Sequence, residues 1–143
     1  NSVMFFSQDK SDLRRMYVQA WRLHQTGQPM SALEQQIAGV IADHPEYHAQ
    51  MTGNGIEQDF TPDGGQSNPF LHMGLHLAIR DQVKTNRPAG IRDTYQSLAV
   101  KLGDAHAAEH QMLECLAESL WQAQRDGVMP DELAYLQKIN TLL

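Results

Sequence analysis

Six of the seven histidines in this chain form three pairs in which the two members are four residues apart. They are His44 and His48, His72 and His76, and His106 and His110. Random placement would give only about 0.3 such pairs in a chain of this length, so chance is a poor explanation. On a helix, residues at this spacing lie one above the other, and two imidazoles placed so can bind one metal ion. The spacing therefore predicts metal binding.

The elements that must position these histidines are predicted to be helices. Apolar residues recur at steps of three and four along the chain, and no run alternates as a half-buried strand would. Proline, glycine and capping residues divide this pattern into helices over residues 11–26, from 31 onward, and over 69–85, 89–102 and 104–126, with a last short helix from 130. Pro45 either ends the second of these helices before His44 or opens a short new helix over 45–51 as its first residue. The sequence predicts one all-α domain over residues 1–143, a helical bundle of four to six helices.

Two of the histidine pairs are predicted to face the core. The apolar stripe continues into Ile79 and Val83 after the second pair, and into Leu113 and Leu120 after the third. Inward imidazoles need partners and would repel one another if protonated, and a bound metal ion removes both problems. The second and third pairs are therefore the predicted core ligands. His44 and His48 are predicted to complete the site, although Pro45 leaves open whether they share one helix.

Carboxylates complete the predicted ligand set. Glu109 and Glu46 are the strongest candidates because each lies inside a histidine pair, and Glu114 and Glu34 are alternatives. Each is a ligand, a partner that orients an imidazole, or a surface residue. The Glu-x-x-His motif of carboxylate di-iron bundles does not occur, which argues against a ferritin-type site. The expected cofactor is a transition-metal ion in a mono- or dinuclear site, with iron placed ahead of zinc, copper and manganese.

Composition excludes several classes of function. A net charge of -6 and the lack of a basic cluster argue against nucleic-acid binding. No apolar run is long enough for a membrane span, and no signal peptide is visible, so a cytoplasmic location is expected. A single cysteine, Cys115, rules out an internal disulfide and a cysteine-rich zinc site.

Longer segments resemble a known family. The stretch Asp-Phe-Thr-Pro-Asp-Gly-Gly-Gln-Ser-Asn-Pro-Phe-Leu-His-Met-Gly-Leu-His, which begins at residue 59, is similar to a proteobacterial family called domain of unknown function 1841. The segments at 44–48, 86–92 and 103–110 are similar to other parts of that family. The resemblance covers nearly the whole chain and implies no activity. The histidine site is only loosely similar to those of DinB-like and hemerythrin-like metal-binding bundles.

Three functions remain open at this level. The first is a metal-dependent oxidoreductase or transferase, in which an open coordination position takes a small-molecule ligand or dioxygen. The second is a non-catalytic metal or dioxygen binder, such as a sensor or carrier. The third is a structural metal site or a histidine-lined interface. The long polar segment 52–67 lies between the first and second pairs and is predicted to cover the site.

Overall fold

The computed structural model describes residues 9–52 and 68–143, and within these ranges every regular element is a helix. The elements are α1 (Asp9–Gln25), α2 (Ala32–Ala42), a short 3₁₀ helix (Pro45–Gln50), α3 (Pro69–Thr85), α4 (Ile91–Leu102), α5 (Ala105–Asp126) and α6 (Glu132–Asn140). The predicted all-α class is confirmed, with six α-helices at the upper end of the predicted number. None of the described helices is long and apolar enough to cross a bilayer. The segment predicted to cover the site lies almost entirely outside the described residues.

The helix ends are set by the capping residues that the sequence indicates. Ser31 and Glu34 form a reciprocal capping box, in which the Ser31 N–H donates to Glu34 Oε1 at 2.9 Å and the Glu34 N–H donates to Ser31 Oγ at 3.1 Å. Asn68 caps the first turn of α3, where its Oδ1 accepts from the N–H groups of Phe70 and Leu71 at 3.0 and 3.2 Å. Gly103 and Gly127 end α4 and α5 in the left-handed conformation that glycine adopts without strain, with φ of 69° and 65°.

Contacts divide the chain into two compact units, residues 1–74 and 75–143, and the boundary falls inside α3. In the first unit α1 packs against α2. Ala20 and Trp21 of α1 are buried, as are Val40 and Ile41 of α2. This core places the C-terminal end of α2 and the 3₁₀ helix, which carry the first histidine pair. That the whole chain forms a single domain stays a prediction.

The second unit contains the rest of α3 together with α4, α5 and α6. Its core is formed by fully buried apolar side chains from all four helices, Ile79, Ile91, Leu98, Met112 and Ile139. Tyr135 of α6 donates a hydrogen bond to the Gln82 side chain of α3 at 2.7 Å, which satisfies its buried hydroxyl. Ile79 of α3 and Met112 of α5 belong to the same core, so the histidines of those two helices lie in one unit.

The capping box allows a direct test of the local fold. Replacing Ser31 by alanine leaves a backbone donor of α2 without its acceptor, and we expect a loss of about 1 kcal/mol in the free energy of unfolding. Chemical denaturation followed by circular dichroism measures this value. Ser97→Ala, at an exposed position inside α4, is the matched control and is expected to be neutral or slightly stabilising. Equal losses in both variants would contradict a capping role for Ser31.

Candidate metal centre

The first histidine pair caps the C-terminal end of α2. Helix α2 ends at Ala42, and Pro45 begins the 3₁₀ helix as its first residue, one of the two outcomes left open by the sequence. His44 Nδ1 lies 2.7 Å from the carbonyl oxygen of Val40, and His48 Nε2 lies 2.8 Å from that of Ile41. Carbonyl groups in the last turn of a helix have no partner within the helix. The His44 ring provides a partner for the Val40 carbonyl, and the Ile41 carbonyl is contacted both by the His48 ring and by the backbone N–H of His44, at 3.0 Å.

These two hydrogen bonds orient the two rings differently. A carbonyl oxygen only accepts, so the ring nitrogen that faces it carries the proton. In neutral His44 the proton is therefore on Nδ1 and the lone pair is on Nε2, which is a common arrangement of metal-bound histidines. In neutral His48 the proton is on Nε2, and the ring packs against Trp21 with centroids 4.5 Å apart. His44 is thus the member of the pair that is oriented as a typical ligand.

His44 also contacts the second predicted pair. Its ring contacts that of His72 edge to face, with centroids 5.4 Å apart. One ring nitrogen of His44 lies within 4.8 Å of one ring nitrogen of His72. Two imidazole nitrogens bound to one tetrahedral ion lie about 3.3 Å apart, given metal–nitrogen distances of about 2.0–2.1 Å. The structure gives 4.8 Å as an upper limit, and metal binding would require the two nitrogens to lie closer than that. The first unit therefore brings together residues that are 28 positions apart in sequence.

Helix α3 carries its two histidines on one face, as the spacing predicts. His72 and His76 are separated by one turn of a continuous helix, and a ring nitrogen of each lies within 4.8 Å of the other. His72 is half-buried and His76 is fully buried. The helical geometry needed for two imidazoles to bind one ion is therefore present at this pair.

In the second unit, His76 is held by a buried carboxylate. Its Nδ1 lies 2.6 Å from Glu109 Oε1, and Arg80 Nε lies 3.1 and 3.2 Å from the two oxygens of the same carboxylate. Burial raises the pKa of Glu109, but the hydrogen bond from His76 and the positive charge of Arg80 outweigh it, so the pKa is lowered. The ionised carboxylate only accepts, so Nδ1 of His76 carries a proton, and in the neutral form of the ring the lone pair is on Nε2.

The third histidine pair lies beside His76. The ring centroids of His106 and His110 are 5.5 and 5.9 Å from that of His76. The prediction that this pair faces the core was wrong for His106, which is exposed in the first turn of α5. The reason is that the buried face of α5 is centred on Ala108 and Met112, and the two histidines lie to one side of it.

The other predicted residues have simpler environments. Glu46 is exposed in the first turn of the 3₁₀ helix, where its charge adds to burial in raising the pKa of Tyr47. Glu114 is exposed and lies 3.9 Å from His110 Nδ1. His24 is exposed in the last turn of α1 and stacks on Trp21, with ring centroids 5.1 Å apart.

Sequence reasoning missed Arg80, the partner that keeps Glu109 ionised. A signal for it exists, because Arg80 follows His76 by four residues on α3 and so continues the face that carries the second histidine pair. A guanidinium one turn from a predicted ligand, together with a candidate carboxylate elsewhere, would have indicated the ion pair that the structure contains.

A match to a known protein family covers most of the chain. A protein family described as Domain of unknown function (DUF1841) matches residues 9–141. The chain belongs to this family. The resemblance seen in the sequence is thereby confirmed, and the family description carries no activity. Comparisons with curated proteins and with solved structures gave no match. The function therefore has to be argued from the geometry of the site.

The buried carboxylate gives a second prediction. Glu109→Gln removes the charge that His76 and Arg80 bind, and we expect the metal-free protein to lose about 1–3 kcal/mol in its free energy of unfolding at pH 7. The pKa of Glu109 is lower in the folded chain than in the unfolded one. Its stabilising effect is therefore present above the unfolded-state pKa and is lost as the pH falls through the folded-state pKa. The difference between wild type and variant should shrink in acid.

Denaturation curves in the presence of a chelator, at pH 7 and in the acid range, measure this effect. Glu114→Gln is the matched control, because that side chain is 71% exposed and lies on the same helix. A Glu109→Gln variant as stable as the control at pH 7, or a difference that grows on acidification, would contradict the assignment.

Proposed function

We propose that this protein binds a transition-metal ion at a histidine site centred on helix α3, with His72 and His76 as the core ligands and His44 as the third. One observation carries the proposal. The two most buried imidazoles, His44 and His76, each donate Nδ1–H to an oxygen, so in the neutral ring the Nε2 lone pair is the potential ligand. Outer partners of this kind, a backbone carbonyl or a carboxylate, are typical of metal-ligating histidines.

The contacts of Glu109 support this proposal beyond the spacing of the histidines. A carboxylate that accepts from Nδ1 fixes the tautomer and the orientation of the ring, and it raises the basicity of the opposite nitrogen. Arg80 supplies the charge that keeps this buried carboxylate ionised. We therefore assign Glu109 to orienting His76 rather than to direct ligation, one of the roles that the sequence left open.

The remaining predicted ligands are assigned by their distance from this centre. His106 and His110 lie beside His76 in the second unit and are the imidazoles proposed to take part if a second ion is bound. His48 uses Nε2 to cap α2, and Glu46 is exposed, so neither is included in the proposed mononuclear site.

Three imidazole ligands leave at least one coordination position for a small molecule, as in catalytic rather than structural zinc sites. A metal ion held in this way can bind dioxygen, acidify bound water or polarise a substrate oxygen. We propose small-molecule binding at such an open position as the function of the site. Imidazole ligands suit iron, zinc, copper and nickel, and iron is the first metal to test because of the likeness to hemerythrin-like bundles.

Metal analysis of protein made without a histidine tag tests the proposal. We expect close to one transition-metal ion per chain in the wild type. Replacing His72 or His76 by alanine is expected to weaken metal binding by at least tenfold, a loss of about 1.4 kcal/mol or more. His44→Ala should also weaken it. His24→Ala is the control, because this exposed histidine stacks on Trp21 and belongs to none of the three pairs.

Circular dichroism of each variant separates loss of ligand from loss of fold. Equal metal content in all four variants would show that the wrong residues were chosen. Wild-type protein that folds without metal and ignores added iron, zinc, copper and manganese would overturn the proposed function itself.

A further inference from the structure

Exposed apolar side chains are concentrated where α5 ends and α6 begins. Five large ones lie within fourteen residues, with exposed fractions of 41% for Leu120, 59% for Trp121, 62% for Val128, 86% for Met129 and 66% for Leu133. We call the surface formed by residues 114–138 the α5–α6 surface. Apolar side chains scattered singly on a surface are normal, whereas a concentration of them marks a binding site.

The α5–α6 surface contains a cavity of about 250 Å³ between the C-terminal half of α5 and α6. The buried side chains of Cys115, Ala123 and Tyr135 line it together with polar and charged ones, among them Glu118 and Asp131. Val128 and Met129, from the turn that joins the helices, line the same cavity with exposed side chains. A partner side chain in this cavity would contact both the apolar interior and these two residues.

The charge of the α5–α6 surface indicates what kind of partner fits. It carries five acidic residues, Glu114, Glu118, Asp126, Asp131 and Glu132, against two basic ones, Arg125 and Lys138. The two cations are already engaged, since Lys138 pairs with Glu118, and Arg125 pairs with Asp126 and lies over the ring of Trp121. Glu118, Asp126 and Asp131 line the cavity itself, against Lys138 as the one cation among the described lining residues. The surface therefore combines exposed apolar side chains with excess negative charge, and complementary charge on a partner would be positive.

This charge also argues against a second copy of the chain as the occupant. A symmetric dimer would place the same acidic surface on both sides of the interface, and each chain has a net charge of -6. A bound amphipathic helix would place apolar residues at helical spacing against the exposed apolar side chains. Basic residues beside that face of the helix would meet the acidic side chains of the surface. We propose that the α5–α6 surface binds a basic amphipathic helix of another protein. This proposal does not depend on metal binding.

A displayed peptide library tests it. The library has a fixed helical face with leucines at i, i+3, i+4 and i+7 and random residues elsewhere, and it is selected on the intact protein. We expect the enriched peptides to carry lysine or arginine beside the fixed face. Their affinity should fall as salt is raised, because interactions between exposed charges are screened.

Single substitutions locate the binding surface. Met129→Ser and Trp121→Ser are expected to weaken binding of a selected peptide by about tenfold or more, as for residues central to an interface. Val100→Ser is the matched control, because this valine is 82% exposed on α4 in the same unit and lies outside the α5–α6 surface. It should leave the affinity within about twofold.

Four results would overturn the proposal. They are no enrichment from the library, enriched peptides without excess positive charge, equal binding by the Met129→Ser and Val100→Ser variants, and self-association of the wild type that Met129→Ser abolishes. The last result, read by sedimentation, would assign the surface to a second copy of the chain.

Discussion

The hydrogen bond between His76 and Glu109 is the interaction on which the second unit's polar interior depends. A fully buried imidazole needs a partner, and a buried carboxylate needs a positive charge or donors. Glu109 Oε1 lies 2.6 Å from His76 Nδ1, and Arg80 Nε lies within hydrogen-bond distance of both carboxylate oxygens. Glu109 is therefore a hydrogen-bond partner of both other groups. Removing Glu109 takes a partner away from both His76 and Arg80. This explains how a face of α3 that carries a histidine and an arginine packs against a glutamate of α5 beside an otherwise apolar core.

The first unit meets the same need with backbone atoms. Because Pro45 prevents α2 from continuing, the last carbonyl groups of that helix are left without intrahelical partners. The rings of His44 and His48 donate hydrogen bonds to two of these carbonyl oxygens, those of Val40 and Ile41. A single local event, the end of a helix at a proline, therefore both buries His44 and chooses which of its nitrogens keeps a lone pair.

Much of this fold could be predicted from the sequence because its signals are local. The capping box at Ser31, the cap at Asn68 and the terminal glycines Gly103 and Gly127 set helix ends that the structure confirms. The His72–His76 pair was also predictable, since a spacing of four residues on one helix fixes its geometry.

The rest could not be predicted, because it depends on neighbours from distant parts of the chain. Spacing alone does not say which ring nitrogen of His44 or His48 is engaged. It also does not show that His106 lies to one side of the buried face of α5, or that Arg80 pairs with a carboxylate 29 residues away. Glu109 was correctly selected as a candidate, but its contact with His76 depends on the packing of α3 against α5.

The most direct test of the central claim is the coordination of the bound metal, measured by X-ray absorption on metal-loaded protein. We expect about three imidazole nitrogens at about 2.0–2.1 Å if the ion is zinc, together with an oxygen ligand such as water in the open position. We also expect the imidazole signal to decrease in His44→Ala and His76→Ala protein. A spectrum with oxygen ligands alone, or one that these substitutions leave unchanged, would contradict that claim.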